Sequence, residues 1–178
     1  MVSILKIALL LFCLLPGLSQ GAVILKGKIT SKISGHVVKE DNLFVTDENG
    51  GWYDQELKME QLGAFDSPYS VDAPLRITST SGTFQVHLDA PLILQNQAKP
   101  ELLFRDMTVK LGLIGERPLL LKVADNVMLT NPPASSDGED SIGHYLLNIS
   151  GYPPAGNFKS VTGTYSGVLS LTFEPVVK

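Results

Sequence analysis

The chain has 178 residues, 44% hydrophobic and 18% charged, with 14 basic against 18 acidic side chains for a formal net charge of −4. That length suits one domain. The apolar content excludes long intrinsic disorder, and the acidic balance excludes the basic footprint of a nucleic-acid binder. A single cysteine, Cys13, excludes an intramolecular disulfide and a cysteine-rich metal site.

The first 21 residues, MVSILKIALLLFCLLPGLSQG, read as a secretory signal peptide. Lys6 is their only charge, residues 7–15 are an apolar run, and Pro16 breaks it. Ser19 and Gly21 supply small residues at the third and first positions before a cut, so cleavage is expected before Ala22. Phe12 is too bulky to precede a lipidated cysteine, which excludes a lipoprotein reading of Cys13. Removing this segment leaves 157 residues with 13 basic and 18 acidic side chains, net charge −5, and no cysteine. Such a secreted domain must be held by its core or by something added from outside.

From Ala22 onward the chain is punctuated like an all-β protein, with Gly, Pro, Asn, Asp and Ser at short intervals. Strands are expected at 23–34, 36–46, 68–79, 82–90, 104–112, 117–124, 142–150 and 163–175. The segment 52–63, WYDQELKMEQLG, is expected to be the one short helix, and Pro132-Pro133 with SSDGED a long exposed loop. About eight short strands so spaced suggest an immunoglobulin-like β-sandwich.

The first of these strands reads AVILKGKITSKISGHVV. Val23, Leu25, Gly27, Ile29, Ser31 and Ile33 fall on one apolar or small face, opposite three lysines, Lys26, Lys28 and Lys32. The pattern fits a first strand of its own sheet with lysines protecting an edge, and equally a strand that completes another sheet. The last strand reads GTYSGVLSLTFEPVV. Tyr165, Gly167, Leu169, Leu171 and Phe173 share one face, and Ser166, Val168, Ser170, Thr172 and Glu174 the other, as a half-buried strand requires.

Chemistry is thinly represented. His36, His87 and His144 share no metal-ligand spacing. Ser166 in GTYSG lacks the nucleophile-elbow pattern, because Thr164 stands where that pattern has glycine. Asp47-Glu48-Asn49-Gly50 and Asp137-Gly138-Glu139-Asp140 are acidic turns whose spacing fails the EF-hand pattern. Asn148-Ile149-Ser150 is formally a glycosylation sequon inside an expected strand. No enzyme, cofactor or metal site is expected.

The two terminal strands together resemble fimbrial subunits of the alternate chaperone–usher pathway of Gram-negative bacteria. The likeness is to the colonization-factor-type (class 5) pilins and, less closely, to the common-pilus pilin. GTYSGVLSLTFEP is similar to the family's ending, and FQVHLDAPLILQNQAKPELLFRDMTVKLGLIGERPL to its central strands; KITSKISGHV stands where those pilins carry a donor strand. Residues 36–66, with Trp52-Tyr53, have no counterpart.

The resemblance implies an immunoglobulin-like domain, 36–178, that lacks one strand, preceded by a donor-strand extension, 22–35. Val23, Leu25, Gly27, Ile29, Ser31 and Ile33 would enter a neighbour's groove, and Tyr165, Leu169, Leu171 and Phe173 would line one wall of that groove. This is strand addition, with backbone pairing and alternate side chains in pockets. Four large apolar residues fully buried would give a gross gain of roughly 6–12 kcal/mol. The head-to-tail contact does not close and so builds a filament. The partners implied are neighbouring pilin subunits, a periplasmic chaperone, an outer-membrane usher, a tip adhesin and a host receptor. The location implied is the periplasm and then a cell-surface fimbrium used for adhesion.

Two other readings stay open. One is a monomeric secreted β-sandwich that binds a receptor or glycan, with Trp52, Tyr53, Phe65 and Tyr69 as its binding aromatics. The other is a hydrolase with an unrecognised site. The N-terminal strand separates the first two: pairing inside its own domain favours the monomer.

Overall fold

The computed structural model describes residues 25–29 (by backbone), 42–51, 56–64 and 67–176. The expected signal peptide lies outside these residues, as do Val23, Ser31 and Ile33, His36, Trp52, Tyr53 and Phe65.

The fold is all-β. In chain order the strands are β1 (Leu25–Ile29), β2 (Leu43–Asp47), β3 (Leu57–Gln61), β4 (Tyr69–Ser79), β5 (Thr83–Leu88), β6 (Gln95–Asn96), β7 (Arg105–Leu113), β8 (Leu119–Leu120), β9 (Val127–Thr130) and β10 (Ser141–Tyr152). A single helical turn, α1 (Phe158–Val161), precedes β11 (Tyr165–Ser166), β12 (Val168–Leu169) and β13 (Leu171–Pro175). Among the described residues these strands form two sheets. The large one runs β6-β11-β1-β3-β4-β10-β7-β8, with β12 also on β1 and β2 also on β4. The small one runs β13-β5-β9.

The long central strands form because their sequences alternate. Along β4, Tyr69, Ala73, Leu75, Ile77 and Ser79 are buried, and along β10 so are Tyr145, Leu147 and Ile149. β4 and β10 pair antiparallel over their whole length, Ser141 opposite Ser79 through Gly151 opposite Tyr69. The inner faces of the two sheets meet in one core. Phe84 of the small sheet packs edge-on against Tyr145 of the large one, ring centroids 5.5 Å apart.

Several expectations are corrected. The segment expected to be helical carries β3: Met59 is buried between exposed Lys58 and Glu60, a period of two and not of 3.6. The strand expected over 117–124 shrinks to Leu119–Leu120. Pro118 has no N–H for a ladder, and Ala124 at φ 55° turns the chain where Lys122 and Asp125 bridge. The strand expected over 163–175 is three pieces, and β6, β9 and α1 fall where no element is expected. The one-turn helix α1 is capped by Asn157, whose side chain accepts from the Ser160 N–H at 2.9 Å. The 132–140 stretch is a loop, as expected.

Candidate strand-acceptor site

The terminal strands come together. β1 runs parallel to the end of the chain, with Leu25 opposite Tyr165 in β11, and Lys28 and Ile29 opposite Val168 and Leu169 in β12. On its other side it runs antiparallel to β3, with Leu25, Lys26 and Gly27 opposite Met59, Lys58 and Leu57. Leu25, Gly27 and Ile29 therefore stand at the site, and β1 is paired on both edges within its own chain. Without β1, no strand ladder among the described residues would join β11 and β12 to β3.

The walls beside β1 are buried and mostly apolar. Tyr165 is 1% exposed, and its hydroxyl donates to the Val161 carbonyl at 2.6 Å. Its ring meets Phe104 edge-on at 5.1 Å, and Phe104 meets Tyr69 edge-on at 5.6 Å. Burial, and then the neighbouring Tyr165, raise the Tyr69 hydroxyl above the ordinary tyrosine pKa. Buried there, Tyr69 offers no ring surface to an outside ligand, so the binding-module reading loses that aromatic. Leu169 and Met59 complete the buried wall.

The other two residues expected in the groove wall lie elsewhere. Leu171 and Phe173 are buried in the same core, but on β13, where they pair with Leu88 and Val86 of β5 in the small sheet. The chain changes sheets at Ser170. There the Ser170 hydroxyl donates to Asp89 Oδ2, the Thr172 hydroxyl donates to Asp89 Oδ1 at 2.6 Å, and the Asp89 N–H donates to the Ser170 carbonyl at 3.1 Å. His87 Nε2 stands 3.6 Å from Asp89 Oδ1. The face of the last strand opposite the core is thus a polar clamp.

The two glycines of GTYSG have a packing reason. A Cβ on Gly167 would overlap the Ile93 carbonyl oxygen, and one on Gly163 would overlap the Asn96 side-chain amide. Both glycines let β11 lie against the 93–97 segment, where β6 pairs with it. Buried Asn96 holds that segment, its Oδ1 accepting from the Ala98 and Lys99 N–H groups at 2.9 Å each. Sequence reasoning missed Asn96 and Asp89.

Among the described residues no group of three metal-ligating side chains gathers. Asp47 Oδ1 accepts from the Asn49 and Gly51 N–H groups at 2.8 and 3.0 Å, so that acidic turn uses its own carboxylate. His144 Nδ1 lies 3.2 Å from Glu48 on the exposed face of the large sheet. Asn148 of the formal sequon donates to Asp72 at 2.6 Å.

No family model matches the chain, and no curated protein matches it. Among solved structures it is similar to the CooA pilin subunit from enterotoxigenic Escherichia coli, at 13% identity and a TM-score of 0.45. The match covers 76% of this chain and 99% of that one.

Proposed function

We propose that this chain is a structural subunit of a surface fimbria, polymerising when the N-terminal strand of one copy completes the large sheet of the next. One observation makes the reading possible: without β1 no strand ladder among the described residues joins β11 and β12 to β3, so the large sheet needs one strand at this place, its own or another copy's. A ladder recognises any strand of the right pattern, so another copy can supply it. The resemblance of GTYSGVLSLTFEP and of the N-terminal strand to class 5 pilins supports the same reading. In it, residues 1–21 direct export, a periplasmic chaperone covers the site before the outer-membrane usher, and the filament carries a tip adhesin and serves adhesion. The chain itself has no catalytic role.

The test uses subunit purified with its chaperone. A peptide spanning residues 22–35 should displace the chaperone and raise the melting temperature, because it binds only the folded state. The same peptide carrying Ile29→Asp should do neither, since it would bring an unpaired carboxylate to an apolar site. No shift at saturating peptide overturns the reading.

The pairing of β1 within its own chain favours a second reading, a self-contained monomeric binding module. Native mass analysis and electron microscopy separate the two: the monomer stays single at every concentration, and the fimbrial subunit forms filaments.

A further inference from the structure

We infer that the free subunit is closed on itself, with its own β1 occupying the acceptor site and barring a neighbour's strand until it leaves. The inference rests on the fimbrial reading for its purpose, and on the ladders of β1 for its geometry. β1 pairs with β11 and β12 on one edge and with β3 on the other. The site accepts one strand at a time, because both of its edges are used by whichever strand is present.

Residues 30–42 connect β1 to β2, and thirteen residues span at most about 45 Å when extended. The tether also sets the competition: a strand joined to its own site by a short connection acts at an effective concentration on the order of millimolar. A free strand at micromolar concentration loses to it. The tether therefore favours closure.

The test locks the strand in the full chain, with Cys13→Ser to remove the native thiol. Two cysteine pairs are placed on neighbouring rungs, Lys26→Cys with Lys58→Cys, and Gly27→Cys with Leu57→Cys. Opposite residues in an antiparallel ladder lie about 4.5 or 5.5 Å apart in alternation, so the two pairs sample both spacings, each within disulfide range. On oxidation at least one pair should link within a single chain, shown by a monomer on a non-reducing gel and by the cross-linked peptide in the mass spectrum. The linked protein should take up no labelled 22–35 peptide, and reduction should restore uptake. In a separate full-length variant, Gly27→Pro, which breaks the β1 ladder, the peptide concentration for half-saturation should fall at least about tenfold.

A link formed only between chains, no link at either rung, or equal peptide uptake by oxidised and reduced protein overturns the inference. An intrachain link with reduction-dependent uptake but no filaments at any concentration leaves the inference standing and overturns the fimbrial reading.

Discussion

The Tyr145 hydroxyl donates to Asn131 Oδ1 at 2.9 Å, between the two sheets. The Asn131 amide in turn donates to the carbonyls of Ile77 and Ser141 at 3.0 Å each, so one buried side chain ties the end of β9 to β4 and β10. Burial, and secondly the negative charge of Glu116, push the Tyr145 pKa up to about 12. Tyrosine in the unfolded chain ionises near 10. Below pH 10 both states hold the proton and the full stability is present. Above it the unfolded state gives up its proton first, so stability falls as pH rises from about 10 through about 12. Urea unfolding at steps from pH 8 to 12 should show this loss. Tyr145→Phe should remove much of the slope and cost about 1–3 kcal/mol at neutral pH, because Asn131 Oδ1 loses its donor.

Gly167→Ala should destabilise more than Gly163→Ala. The first forces a methyl onto a backbone carbonyl, that of Ile93, while the second meets the end of the Asn96 side chain. Overpacking of this kind costs about 1–3 kcal/mol. Urea midpoints of the two variants should fall in that order; equal midpoints would mean that the 93–97 segment is free to withdraw.

Much of the sheet was legible in the sequence, for a reason visible in β4, β5 and β10. Their buried residues recur every second position over six residues or more, so the period alone identifies them. β3 was not legible because Leu57, Lys58, Met59, Glu60 and Gln61 are all good helix formers, and its ladders with β1 and β4 override that preference. The site was half legible. Tyr165, Leu169, Leu171 and Phe173 alternate without a break, so the pattern is the same whether the strand stays in one sheet or crosses to another. Both inner faces share one core, and alternation records only that shared burial. Asp89 gave no signal because its partners, Ser170 and Thr172, are remote in sequence.

The crossing at Ser170 should depend on Asp89. Ser170→Ala removes a hydrogen bond to a carboxylate and should cost about 1–2 kcal/mol, where a merely solvated serine would cost nothing. Asp89→Ala should cost more, because Ser170 and Thr172 both lose their acceptor. In a double-mutant cycle the two changes should be coupled by about 0.5–3 kcal/mol. Additive losses would show that the clamp does not form.

Leu169→Ala and Leu171→Ala should separate strand acceptance from core packing. Each side chain is at most 2% exposed, so each truncation should cost about 2–5 kcal/mol. Only Leu169 stands on the ladder with β1. On the fimbrial reading proposed above, a folded Leu169→Ala chain mixed with unaltered subunits should still donate its own N-terminal strand yet accept one poorly, and so shorten filaments in proportion to its fraction. Leu171→Ala, on the small sheet, should shorten them less. Filament length measured by electron microscopy against the altered fraction checks both; equal shortening would mean that the acceptor site extends across the crossing.

The shared last strand also sets the order in which the molecule is finished. Synthesis delivers the chain from its start, yet Leu25 must wait for Tyr165, and Phe84 of the small sheet must wait for Pro175. Neither sheet has all its strands until the last stretch of chain has emerged. Throughout that interval the earliest strand, apolar on one face, has β3 on one edge and no partner from its own chain on the other. The newborn protein is therefore most exposed to chance pairing at its first segment, and its last residues end that exposure for both sheets at once.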